Sequence, residues 1–174
     1  IMDALAANGG YIRPNERDAA PPERRDLAPF ARELWGKARS LVGTAAQLYL
    51  EDSRIGHSTI GRYDPAAVAY EGGKRVTLPA LLLPITERRE IIALARVFIN
   101  RAGKKNSSLA DPKRTLGDPR GGCIKIGQIE GDHLNLAEGF EEAESVIVKF
   151  GLPGCWSVNG TELYSRIHIP DHIR

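Results

Sequence analysis

Hydrophobic and polar positions change period along the chain, and each period predicts an element. Phe30, Leu34, Ala38 and Leu41 recur at helical spacing with Trp35 on the edge of the stripe, which predicts an amphipathic helix. Gly43-Thr44 predicts a break and an N-cap, followed by a second helix burying Ala45, Leu48 and Tyr49. Tyr49 and Trp35 read as core aromatics. From Ile60 to Ile85 short apolar stretches are separated by Tyr63-Asp64-Pro65, Glu71-Gly72-Gly73, Pro79 and Pro84, which predicts short strands or irregular segments in a sheet. Ile91 to Ile99 is a β-branched and aliphatic run ending at Asn100-Arg101-Ala102-Gly103, a strand entering a turn. Cys123 to Ile126 predicts another short strand.

The last third alternates most clearly. Leu134–Ala137 reads as a strand, Glu138-Gly139 as a tight turn, and Phe140–Phe150 as a helix with Phe140, Ala143, Ile147 and Phe150 on one face. Gly151-Leu152-Pro153-Gly154 stops it and Cys155–Val158 starts another strand, so the segment predicts a βαβ unit. Ahead of these elements, Ile1 to Asn8 reads as the last turns of a helix stopped at Gly9-Gly10, and Arg13 to Pro29 as an exposed linker. The expected fold class is α/β: an α+β lobe followed by a βαβ unit. The expected division is an upstream module's end and linker at 1–29, the lobe at 30–128, and the βαβ segment at 129–174.

Composition narrows the picture only by exclusion. A chain that is 42% hydrophobic with nearly cancelling charges is not a disordered tail. Its longest apolar stretch is interrupted by Arg96 and too short for a membrane span. Two cysteines, Cys123 and Cys155, make neither a disulfide framework nor a four-cysteine zinc site. The opening IMDALAANGG lacks a basic region followed by an apolar block, so the expected location is cytoplasmic. There is no phosphate loop ending in Lys-Ser or Lys-Thr, and no Ser, His or Cys arrangement that suggests a covalent nucleophile.

Charge adds more. The net +2 hides a stretch from Arg96 to Lys125 with 8 basic residues against 2 acidic ones, followed by a C-terminal third with 3 against 8. A polyanion-binding surface beside an acidic, metal-binding one has this distribution, and so does a solvated basic loop. Glu138 stands out because it lies where a parallel strand hands over to a helix, the edge at which open α/β sheets bind ligands. Glu141 and Glu142 also complement the helix dipole, a structural role that needs no ligand. One carboxylate holds Mg²⁺ poorly, and a phosphoryl-transfer site needs two or three.

LNLAEGFEEAES, Leu134 to Ser145, resembles the first strand and helix of a Toprim domain, closest to the version in DNA primases of phages, plasmids and integrated elements. GLPGCWSVNGTEL, Gly151 to Leu163, is similar to the second strand and following turn of that family. LWGKARSLVGTAAQLYL resembles the helical segment before it, and TLPALLLPI with ALARVFINRAGKKNSSLADPKRTLG resembles the primase core sheet and its basic loop. IMDALAANGGYI resembles the final helix of the zinc-ribbon module that often precedes the core. YLEDSRIG displaces the family's Arg and Gly, and Glu142 and Glu144 replace its usual Thr and Leu.

The resemblance implies a primase making RNA or DNA primers on single-stranded DNA, with Glu138 as its catalytic and metal-binding glutamate and Mg or Mn as cofactor. It places Arg96, Lys104, Lys105, Lys113, Arg114 and Lys125 against template or nucleotide, with a replicative helicase as a further partner. The family's later Asp-x-Asp motif has no counterpart in the sequence, so tight metal binding and primer synthesis are not expected from these residues alone. A non-catalytic module binding single-stranded DNA or a helicase, and a Toprim nuclease, are the competing expectations.

Overall fold

The computed structural model describes residues 26–55, 58 and 60–174. The expected helix end at 1–8 and most of the expected linker lie outside them. The fold is α+β. Four antiparallel strands, β1 (Arg62–Glu71), β2 (Lys74–Glu87), β3 (Glu90–Phe98) and β4 (Lys113–Gly117), form one sheet in chain order. A second sheet has the order β5-β7-β6, from β5 (Ile124–Gly127), β6 (Leu136–Ala137) and β7 (Gly154–Ser157). Helix α3 (Phe140–Phe150) connects the parallel pair β6 and β7, so the expected βαβ unit is present.

Where the sequence predicts short strands before Ile85, the chain forms one long hairpin. Its turn is Gly72-Gly73, both left-handed, as a two-residue hairpin turn requires. The prolines that suggest interruption fall where the ladders do not need an N–H. Pro65 lies in the β1 register break between Asp64 and Ala67, Pro79 just beyond the last β2–β3 pair, and Pro84 past the end of the β1 ladder. β4, which reads as basic loop, is a strand because the edge of β3 templates it, from Ala93↔Gly117 to Val97↔Lys113.

Alternation in β2 and β3 buries both faces of the first sheet. Leu81, Leu83, Ile85, Ala95 and Val97 face a core shared with Tyr49, Leu50, Ile124, Phe140 and Ala143. Ala80, Leu82, Leu94 and Phe98 face a second core covered by Ala31, Leu34 and Trp35. One apolar layer therefore joins the first sheet to the βαβ unit, which fixes the floor of the cleft described below.

The helices are shorter than their apolar patterns. α1 (Ala28–Lys37) starts within the expected linker, with Pro29 in its first turn, and stops before Ala38, which is extended. Leu41 therefore enters the first core while Phe30 stays 48% exposed. In α2 (Ala45–Asp52) Thr44 caps as expected, accepting from Gln47 N at 3.4 Å, but Ala46, Tyr49 and Leu50 are buried and Leu48 is exposed. In α3 Phe140 and Ala143 are buried, whereas Phe150 in the last turn is exposed. No helix among the described residues is long and apolar enough to cross a membrane.

Candidate functional site

Glu138 follows β6 directly and precedes the first turn of α3. Its carbonyl accepts from Asn159 N at 2.9 Å and from Ser157 Oγ at 3.2 Å, which pins the backbone to the end of β7. The side chain is left exposed, and its carboxylate makes no hydrogen bond or ion pair among the described residues. Beside it an open cleft of about 790 Å³ is lined by Tyr49, Asp52, Lys104, Lys105, Lys113, Glu138 and the first turn of α3. A smaller lobe of about 270 Å³ continues past Glu138 over the Leu83, Ala95, Val97 and Thr115 face of the first sheet.

The lysines reach this cleft by two routes. Lys104 and Lys105 follow the turn at Gly103, whose φ is +72° and whose absent Cβ would lie 2.5 Å from Leu48 Cβ and 2.7 Å from Tyr49 N. Only glycine lets that loop rest on the backbone of α2. Asn100 Oδ1 holds the turn, accepting from Ala102 N and Lys104 N. Lys113 projects from β4 on the face shared with Val97, its register partner.

Arg96 and Arg114, also register partners, project from the opposite face and do a different job. The sheet curls far enough for Arg96 to donate to Val68 O at 2.8 Å and Arg114 to Tyr70 O, with Arg114 also paired to Glu71. Both guanidinium groups thus serve the outer edge of β1. Burial and neighbouring Arg114 lower the Arg96 pKa from its ordinary value. Lys125 is elsewhere again, its Nζ 4.6 Å from the Trp156 ring centroid and donating to Arg88 O. Of the six basic residues singled out in the sequence, Lys104, Lys105 and Lys113 line the larger part of the cleft, while Arg96 and Arg114 border the smaller lobe with their guanidinium groups committed to β1.

Three residues without a sequence signal for this site complete it. Tyr49 is a core aromatic, as expected, but its hydroxyl donates to Glu141 across 92 positions of chain. Glu141, expected to serve the helix dipole, also takes the Lys113 ammonium at 2.7 Å from Oε1 and 2.9 Å from Oε2. Burial opposes the Glu141 charge, yet the hydrogen bonds from Lys113 and Tyr49 outweigh it and hold the carboxyl below its ordinary range. Burial, with the adjoining Glu141 carboxylate, pushes the Tyr49 hydroxyl far up, so it remains a donor. Asn159 donates to Thr115 Oγ1 at 3.0 Å and ties the Glu138 turn to β4.

The cleft carries charges of both signs. Its lining combines Glu138, Glu141 and Glu142 with the three lysines and Asp52, and the two sets meet at the Lys113–Glu141 pair. Glu142 Oε2 accepts from Gly139 N, and Glu141 is engaged by Tyr49 and Lys113. No three His, Cys, Asp or Glu converge as a metal site among the described residues. The carboxylates present do not fit a Mg or Mn site by themselves. Burial raises both thiols, Cys123 to about 12, so neither supplies a thiolate near neutrality.

Gly139 has an ordinary backbone, φ −109° and ψ 157°, and a Cβ there would meet only Glu141 Oε2 at 3.8 Å. The glycine keeps the cleft open rather than satisfying a strained turn. Gly139→Ser is expected to keep the melting temperature, because Ser is a good N-cap and a Cβ finds room there. Thermal denaturation checks this; a clear fall in melting temperature would show that the position needs a glycine for the fold.

These features define an α+β domain with a lysine-and-carboxylate cleft at the carboxyl end of a parallel strand. Residues 25–126 match the model of a family described as a domain of unknown function, DUF7146, and the chain belongs to that family. The matched span includes the three lysines and ends before Glu138. No curated protein and no solved structure matches the chain.

Proposed function

We propose that this chain is the template- and nucleotide-handling part of a Toprim-type DNA primase, with the cleft beside Glu138 as its phosphate-binding site. The observation that carries the reading is the exposed, unengaged Glu138 carboxylate at the end of β6, sharing one cleft with Lys104, Lys105 and Lys113. The lysines hold phosphate groups of a single strand or a nucleotide, giving binding that depends on salt and little on sequence. Asn159 and Ser157 orient Glu138, and Gly139 leaves room beside it. In the reaction proposed, a nucleotide 3′-hydroxyl attacks the α-phosphate of an incoming nucleotide and pyrophosphate leaves. Glu138 is the side chain placed to take the hydroxyl proton, and positioning supplies the rest of this chain's contribution. A Mg or Mn ion would need ligands besides the carboxylates described, and no step is routed through one.

The test is product analysis on a single-stranded template with the native protein and its Glu138→Gln variant. New oligonucleotides made by the native protein and lost in the variant, with template binding retained, are the expected result. Shorter template strands would replace the reading with a nuclease. The three lysines lining the cleft also support a second reading, a non-catalytic module that docks single-stranded DNA. Unchanged priming by the Glu138→Gln variant would support it.

A further inference from the structure

Glu141 occupies an unusual place in the cleft. Its carboxylate sits against the lysine that the cleft would otherwise offer to a phosphate, and it is held there by a hydroxyl from a different element. Both Lys113 contacts lie below 3 Å, and the Glu141 side chain is 22% exposed against 45% for Lys113. The Tyr49 ring is locked in the first core at 4% exposure, so its hydroxyl is a fixed anchor rather than a rotating surface group. The other lysines differ. Lys104 is paired with Asp52, but both partners are more than half exposed, and no ion pair engages Lys105 among the described residues. Surface pairs of the Lys104 kind exchange partners at little cost, whereas an anchored, part-buried pair does not.

We propose that Glu141, anchored by Tyr49, is a built-in anion that guards Lys113, so that a phosphate gains this third lysine only by displacing an internal carboxylate. This rests on the reading of the cleft as a phosphate site and adds a threshold to it. Ligands with several phosphates, which also engage Lys104 and Lys105, can displace the guard. A single weak anion cannot. Glu141 acts through Lys113 and is therefore a positioning residue. The device also explains why α2 reaches into the cleft through a tyrosine: its hydroxyl keeps Glu141 from turning to solvent.

The test is anisotropy of a labelled oligo-dT strand across a salt series, using wild type, Glu141→Gln, Lys113→Ala and the double variant. Gln keeps the shape and can still accept from Tyr49, but it drops the charge. Glu141→Gln is expected to bind about 3- to 10-fold tighter at low salt with an unchanged salt slope, because a strand engages Lys113 in both proteins and only the cost of displacing the guard is removed. That gain is expected to vanish when Lys113 is Ala, a non-additivity that bulk charge would not produce. A residue needed only for folding would instead weaken binding as it lowered the melting temperature. Binding by Glu141→Gln that is equal or weaker, or a gain that survives in the Lys113→Ala background, overturns the guard while leaving the phosphate site standing. Failure of wild type and Glu141→Gln alike to bind overturns both.

Discussion

Gly103→Ala is expected to destabilise the fold by about 2–5 kcal/mol, the sum of placing an L-residue in the left-handed region and of overpacking against a neighbouring element. The close approach is to the backbone of α2, at Tyr49 N and Leu48 C as well as Leu48 Cβ, so no side-chain rotation relieves it. Either the 100–103 turn lifts off or α2 shifts, and both carry Lys104, Lys105 or Tyr49 away from the cleft. Gly72→Ala is the matched comparison. Its φ is also left-handed, at +54°, but nothing lies within 4 Å of its Cβ, so only the conformational cost of about 1–2 kcal/mol applies. Chemical denaturation of both variants, with oligonucleotide titration alongside, separates the two costs. A Gly103→Ala variant no less stable than Gly72→Ala would show that the turn does not depend on its contact with α2.

The turn at Asn100-Gly103 was legible in the sequence because a glycine after a β-branched run has few other uses. The β6–α3–β7 segment was legible for a related reason: its strand, turn and helix signals are all local. Glu138 drew notice by its position at a strand end. What lies across the cleft from it did not, because Lys113 faces the site only through the β3–β4 register, and β4 has a single aliphatic residue, Leu116, to announce a strand. Reading 113–117 as loop left Lys113 and Arg114 equivalent, while pairing in a strand sends them to opposite faces. Charge counting could not distinguish a lysine aimed into a cleft from an arginine spent on the edge of β1. The Tyr49–Glu141 contact had no local trace either, since α2 and α3 are 92 positions apart at this contact and meet only because both pack on the same face of the first sheet. The same holds for the long hairpin, whose prolines look like breaks until the ladders show which N–H groups were never needed.

Replacing Lys104, Lys105 and Lys113 together by Ala is expected to lower affinity for single-stranded DNA by about 100-fold at low salt, taking roughly 1 kcal/mol for each lost phosphate contact. The salt slope should become shallower by roughly 2, three contacts at about 0.7 each. The slope is the more telling quantity, because damage to the fold would reduce the active fraction without changing how many counterions each bound strand releases. Arg114→Ala and Lys125→Ala serve as controls that each remove one positive charge outside the cleft's lysine group. Arg114 is committed to Tyr70 O and Glu71, and Lys125 to Arg88 O and the Trp156 ring, so neither loss should alter the slope. Arg114→Ala should lower the melting temperature instead, since it strips the outer edge of β1 of a donor. An equal fall in slope per charge removed in all of these variants would mean that DNA responds to net charge over the whole surface, and the cleft would lose its claim. A fall confined to the three lysines would place the phosphates beside Glu138, where the proposed attack requires them.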